Sequence, residues 1–263
     1  MAYSKGITKE EFITEIKKHQ QLDNFIRGFY FEESKGCAVG CSIESIRVLK
    51  NLDNLEHSNH SLYEEYLGIP GWLAHLEDKI FEMLSIDKSK EWPLEFSEAI
   101  NTGSNLDQIK IPFLVYLLEQ SINNLEQQSK TEIVKKSIEV SKQTITALKS
   151  GNKQLIDEVR YTAYTAYTTA CAAAVYTTAY AVYDAAAYTA ACAAAACSTA
   201  YTAYTAARAA FACAASACAY AAYSDVANTT ASAASAAAVA DTTYSAAVEK
   251  YKNKLLELIR DCK

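Results

Sequence analysis

His19 and Asp23 stand four residues apart. On a helix this spacing puts both side chains on one face, where a carboxylate can orient and charge an imidazole. Such a pair suits general base chemistry, and it suits a cap or packing contact equally well. Asp78 and Glu82 repeat the spacing, while the adjacent Glu77 leans elsewhere. Paired carboxylates can hold a metal or move a proton; more often they form a solvated face or meet an arginine. His57-x2-His60-x3-Glu64 can place three ligands on one helix face, with Asp53 in reach. Ser58 and Asn59 make a poor helix interior, so the segment reads as a loop with solvated histidines. Cys37-x3-Cys41 puts two thiols one turn apart, but no matching Cys or His pair follows to complete a zinc set. Gly36, Cys37, Ala38, Gly40 and Cys41 read instead as a segment kept small because two backbones meet there. No metal and no cofactor are therefore expected. The sequence also lacks a Walker A loop, G-x-G-x-x-G, G-x-S-x-G and H-E-x-x-H.

The second half is written in a different alphabet. From Tyr161 to Val248 nearly half the residues are Ala, most others are Tyr, Thr, Ser or Cys, and only Asp184, Arg208, Asp225 and Asp241 are charged. Alanine has the best helix propensity, and no Gly or Pro follows Gly151. The region reads as closely packed helices lined with phenol rings, breaking at Asp184, Ser198-Thr199, Ser224-Asp225, Asn228-Thr229 and Asp241-Thr242. Arg208 is the single cation there and needs an anion, either an Asp of the bundle or a ligand phosphate. Tyr201 and Tyr204 precede it by seven and four residues, so all three can line one cleft. The rings are either core filler or a surface on which a flat base stacks.

The first half is conventional. Thr8-Lys9-Glu10-Glu11 fits a capping box that opens a helix ending at Gly28. Phe29-Tyr30-Phe31 is a short, extended aromatic run. A helix follows through Ile43, Ile46 and Leu49, then a loop over Asn51 to Ser61. One or two turns stop at Gly68, and Pro70 opens a helix with Trp72, Leu73, Leu76, Ile80, Phe81 and Leu84 at 3.6-residue periodicity. Trp92-Pro93 starts another, closed by Gly103, and Pro112 a further one. A long amphipathic stretch ends at Gly151-Asn152, and the tail from Val248 to Cys262 is amphipathic through Leu255, Leu256 and Ile259. The fold class is all-α: a helical domain over 1–150 and an Ala/Tyr-rich helical bundle over 151–263.

A net charge of −6 without a dense Lys/Arg run excludes an extended nucleic acid as partner. The Ala tract is too weakly apolar for a membrane span, and the first residues lack a signal-peptide core. Five of the eight cysteines occupy Ala slots, which points to reduced thiols in a cytosolic protein. Weakly solvated Ala-rich faces lead us to expect a homo-oligomer.

The motifs His19-x3-Asp23-x4-Gly28-x-Tyr30, Lys35-Gly36-Cys37-Ala38-Val39-Gly40-Cys41, His60-x2-Tyr63, Leu67-Gly68-Ile69-Pro70, Leu73-Ala74-x-Leu76-Glu77-Asp78-x-Ile80-Phe81-Glu82 and Trp92-Pro93-x2-Phe96 run in series over residues 15 to 118. In series they resemble an uncharacterised family met in phage and prophage genomes. The resemblance implies a small cytosolic protein of mobile elements, acting in the host cytosol, and brings no activity with it. Proteins of that origin often interfere with host defence, an association rather than a physical argument. The resulting expectation is a binder that sequesters a small nucleotide-like immune signal without turnover. Its ligand site would use His19, Arg27, Lys35 and His60 from the first half with Tyr201, Tyr204 and Arg208 from the second. The alternatives are an enzyme using His19/Asp23 and Asp78/Glu82, and a structural or protein-binding oligomer.

Overall fold

The computed structural model describes residues 1–128, 132–152 and 230–263. Helices make up 69% of the described region, and the one sheet among the described residues is a two-stranded hairpin, so the fold is all-α. The expected helices between 153 and 229, their caps, five of the cysteines, Tyr201, Tyr204 and Arg208 lie outside the described residues. By contacts the chain forms two units, Met1–Lys110 with Lys252–Lys263, and Ile111–Tyr251.

The first unit begins with α1 (Lys9–Gln21). Its capping box is formed as expected: Thr8 Oγ1 accepts from the Glu11 amide, and Glu11 accepts from the Thr8 amide at 2.9 Å. Thr8→Ala removes one half of this exchange and should lower the unfolding free energy by about 1 kcal/mol in urea titrations. An unchanged midpoint would show that Glu11 alone satisfies the helix end.

The helix does not run on to Gly28. It stops at Gln21, because the backbone beyond is taken up elsewhere. The Ile26 amide donates to Gly36 O at 2.8 Å, the Gly36 amide donates to Asn24 O at 2.9 Å, and Phe25 is buried. Strands β1 (Phe31–Glu32) and β2 (Lys35–Gly36) pair antiparallel, with Phe31 opposite Gly36, so the aromatic run is extended as expected.

Helix α2 (Ala38–Lys50) starts directly from β2, with Cys37 as N-cap. The Cys37 amide donates to the carbonyls of Phe29 and Tyr30, which brings the hairpin backbone onto the helix start. A Cβ on Gly36 would lie 1.9 Å from Tyr30 O, and one on Gly40 only 1.6 Å from it. The small-residue segment is thus a close meeting of two backbones, as the sequence suggested.

Asn51 to Ser61 form a loop, followed by a helical turn over Tyr63–Leu67 that ends on Gly68 in the left-handed conformation. Helix α3 (Gly71–Met83) buries Trp72, Leu73, Leu76, Ile80 and Phe81, the stripe read from the sequence. Helix α4 (Ile86–Ala99) starts seven residues before Pro93, not at it. An interior proline removes one helical hydrogen bond. Burial of Trp92, Pro93 and Phe96 on the same helix outweighs that loss. Helices α1 and α3 each pack on α2 and α4. The last residues of the chain belong to this unit: Lys252 pairs with Glu95 at 2.8 Å, and Asn101 donates to the carbonyls of Arg260 and Cys262.

In the second unit, α5 (Lys110–Gln128) and α6 (Glu132–Ser150) share a core of Leu114, Val115, Leu118 and Leu148. The chain ends in α7 (Thr230–Asp261), which buries Leu255, Leu256 and Ile259. It runs unbroken past Asp241-Thr242, where a cap was expected. Thr is a weak helix former, but flanking alanines carry the helix through. Among the described residues, no helix is long and apolar enough to cross a membrane.

Candidate functional site

Three chain segments that are distant in sequence bring their polar groups together in the first unit. Helix α3 supplies Asp78 and, one turn later, Glu82. The start of α2 supplies Cys37, and the loop before Tyr63 supplies His60. One ligand atom each from Cys37, Asp78 and Glu82 lie within 4.8 Å of one another. As expected, Asp78 and Glu82 share a face of the helix and Glu77 does not.

His60 is 5% exposed. The expectation of solvated loop histidines is therefore half right: the segment is a loop, but its imidazoles are packed. His60 Nδ1 lies 2.9 Å from the Ser58 carbonyl oxygen, which only an N–H can satisfy, so the hydrogen sits on Nδ1. Nε2 then faces Asp78 Oδ2 at 3.5 Å. That is close enough for charge attraction if the ring is protonated, yet Nε2 has no hydrogen-bond partner, and neither has the buried Asp78 Oδ1. His75 stacks on His60 with centroids 3.7 Å apart and planes 16° from parallel. Tyr30 meets the same ring edge-on at 5.7 Å.

Electrostatics follow from burial. Desolvation pushes the Cys37 thiol far above its ordinary range, and the neighbouring Asp78 carboxylate adds to the shift. The same cause raises Glu82, against a hydrogen bond from the Gly28 amide at 3.1 Å that lowers it. Glu77 is fully buried. Its carboxyl is pushed up to about 8 by desolvation, although Tyr63 donates to it at 2.7 Å; repulsion from Asp78 adds to the rise. Glu77, which leans away from the Asp78–Glu82 face, is thus an acid of the core that holds its proton far more tightly than a solvated carboxyl. Burial and the neighbouring His60 lower His75 to about 4.

Cys41 does not join Cys37. Its thiol donates toward Asn24 O and Gly36 O, at 3.7 and 3.5 Å, and holds the hairpin. Cys37, Cys41 and Cys262, the cysteines among the described residues, are free.

His19 and Asp23 do not form the pair that their spacing suggested. Helix α1 ends between them, Asp23 adopts a left-handed backbone, and its carboxylate meets Lys90 at 2.6 Å. His19 is half-buried against Phe25 and Phe31. Arg27 is exposed and donates to Leu84 O at 2.7 Å, next to Glu82. Lys35 is exposed on β2. His19, Arg27, Lys35 and His60 therefore all border the hairpin segment from Phe25 to Gly36; His60 lies against the Asp78 carboxylate and Arg27 beside Glu82.

On the hairpin's other contact, Phe31 stacks on His57 at 4.5 Å and 17°. His57 Nε2 lies 3.1 Å from Glu44, which also binds Arg47. Glu64 takes no part in a histidine cluster with them among the described contacts; Asp78 stands where the sequence proposed it. Cys37 was legible only as half of a cysteine pair. The signal that could have found its true partners is the His60 and Leu-Glu-Asp motifs read together, since these converge here.

No family model matches the chain, and no similar curated protein or solved structure was found.

Proposed function

We propose that this chain is a binding protein that takes up a small nucleotide-like ligand at the face formed by the hairpin, His60 and the Asp78–Glu82 face of α3. The observation that carries the reading is the His60 imidazole. It is nine-tenths buried and held by Ser58, and its Nε2 has no hydrogen-bond partner. Leaving a buried polar atom unpaired costs about 1–3 kcal/mol, and a ligand can recover that energy. Phe29 and Tyr30 leave aromatic surface exposed beside the cluster, suited to stacking on a base. Binding without turnover fits the thiol: Cys37 is held protonated and is therefore a poor nucleophile. The phage resemblance adds the setting, sequestration of a host signal in the cytosol.

One observation favours a second reading. The Asp78 carboxylate stands against the protonated Cys37 thiol and its Oδ1 is buried, so a substrate that opens the cluster would meet a base there. That reading is an enzyme built on Asp78 and Glu82, without the His19–Asp23 pair.

The purified chain, incubated with a panel of nucleotides and then heat-denatured, separates the two by mass spectrometry of what it releases. Intact return of one nucleotide is expected, and His60→Gln should weaken its uptake about ten- to a hundredfold. Return of an altered nucleotide would replace the binding reading by the enzymatic one. Absence of uptake across the panel would overturn both.

A further inference from the structure

We propose that Cys37, Asp78, Glu82 and His60 form a four-coordinate site for a divalent transition ion of the zinc class. A tetrahedral ion with bonds of about 2.0–2.3 Å holds its ligand atoms roughly 3.3–3.8 Å apart. The donor atoms of Cys37, Asp78 and Glu82 already lie within 4.8 Å of one another and must each draw in by about an ångström to share one ion, while His60, outside that set, joins it from its place beside Asp78. His60 supplies an independent observation. Its Nε2, buried and without a hydrogen-bond partner, stands 3.5 Å from Asp78 Oδ2, the spacing of two ligands on one ion. The other ring nitrogen donates to a backbone carbonyl, the arrangement that fixes a histidine's tautomer for metal binding.

Thiolate and imidazole donors favour a borderline-soft ion over magnesium or calcium, which take oxygen ligands. On binding, the Cys37 S–H bond breaks, its proton leaves to solvent, and a sulfur–metal bond forms. The carboxylates and the imidazole bind through lone pairs, and nothing is oxidised or reduced.

This inference deepens the ligand reading and rests on it only for the ion's purpose. Asp78 and Glu82 repel a bare phosphate, and an ion between them supplies the positive charge that a nucleotide needs.

The test uses the full chain, stripped with chelator and titrated with cobalt(II), whose bond to a thiolate gives an ultraviolet charge-transfer band. One ion per chain with that band is expected. Cys37→Ser should abolish the band. Asp78→Asn and His60→Gln retain the thiol, and each should weaken cobalt binding by at least about 10–100-fold, the range for loss of an outer-shell partner alone. Circular dichroism identifies a variant that fails to fold, and the Asp78 variant, at a partly exposed position, keeps the test decisive if the Cys37 variant does. The proposal is overturned if the wild-type chain shows no band. It is equally overturned if the band survives in folded Cys37→Ser, or if both other variants bind cobalt as tightly as wild type. Nucleotide uptake is measured on the same samples before and after cobalt is added. Uptake without cobalt binding sinks the metal site and leaves the ligand reading standing; cobalt binding without uptake does the reverse.

Discussion

Glu77→Gln should abolish a loss of stability that the wild-type chain shows between about pH 6.5 and pH 8. The Glu77 carboxyl is raised in the folded state from an ordinary value of 4.5 to about 8, first by desolvation. A raised carboxyl favours folding fully below its unfolded pKa, and that contribution is lost as pH rises through the folded value. The window therefore runs from about 4.5 to about 8, with a slope of at most roughly 1.4 kcal/mol per pH unit. His75 acts with the opposite sign. Its pKa falls from 6.5 to about 4, so its contribution is present above 6.5 and is lost as pH drops. Between pH 4.5 and 6.5 the two slopes oppose one another and nearly cancel, and His19, also lowered by burial, works on the side of His75. Above 6.5 only Glu77 remains among these groups, and a fall of roughly 2 kcal/mol is expected by pH 8. Glutamine keeps an acceptor for the Tyr63 hydroxyl and carries no charge at any pH. Urea unfolding in chelator, across pH 5 to 9, makes the comparison with protons as the only titrant. Parallel stability curves for wild type and variant above pH 6.5 would mean that Glu77 ionises without a penalty, and the argument from its burial would fail.

The second large effect sits at Gly40. An added methyl would come within 1.6 Å of the Tyr30 carbonyl oxygen, and the obstacle is backbone, which cannot swing aside. Either α2 or the hairpin must move. Both are tied by the Cys37 amide to the carbonyls of Phe29 and Tyr30. Gly40→Ala should therefore cost about 3 kcal/mol, the upper end for one group forced into a packed site. Gly71 is the matched control. It also lies in a helix, and an added Cβ there meets only His60 O at 3.9 Å, an ordinary contact. Gly71→Ala should be neutral or stabilising by up to about 1 kcal/mol, since alanine loses less backbone entropy on folding. A Gly40→Ala midpoint within experimental error of the Gly71→Ala midpoint would mean that the hairpin is not pressed against α2. Because Tyr30 also borders His60, the Gly40 variant should weaken ligand uptake as well as stability.

Much of the fold is readable from the chain because its causes are local. Thr8 and Glu11 cap α1 by an exchange of bonds three residues apart. The stripe from Trp72 to Phe81 repeats with the helix turn. Gly68 stops a helical turn because it tolerates a left-handed backbone. Each of these is decided within a few residues, so spacing suffices. The readings that failed are those where distant packing outweighs a local signal. Proline marks a helix start in isolation, yet burial of Trp92 and Phe96 carries α4 through Pro93. Asp23 sits four residues after His19, yet backbone pairing of Asn24 and Ile26 with Gly36 ends the helix first. The site is of this second kind. Asp78 and Glu82 share a face by spacing alone, and sequence shows that much. That His60 is buried and aimed at Asp78, that Cys37 rather than Cys41 faces the pair, and that Glu77 is a core acid with a raised pKa depend on how a loop, a hairpin and α2 pack around α3. Desolvation is set by neighbours that lie tens of residues away along the chain, so only the tertiary structure decides which of these ordinary residue types become chemically unusual.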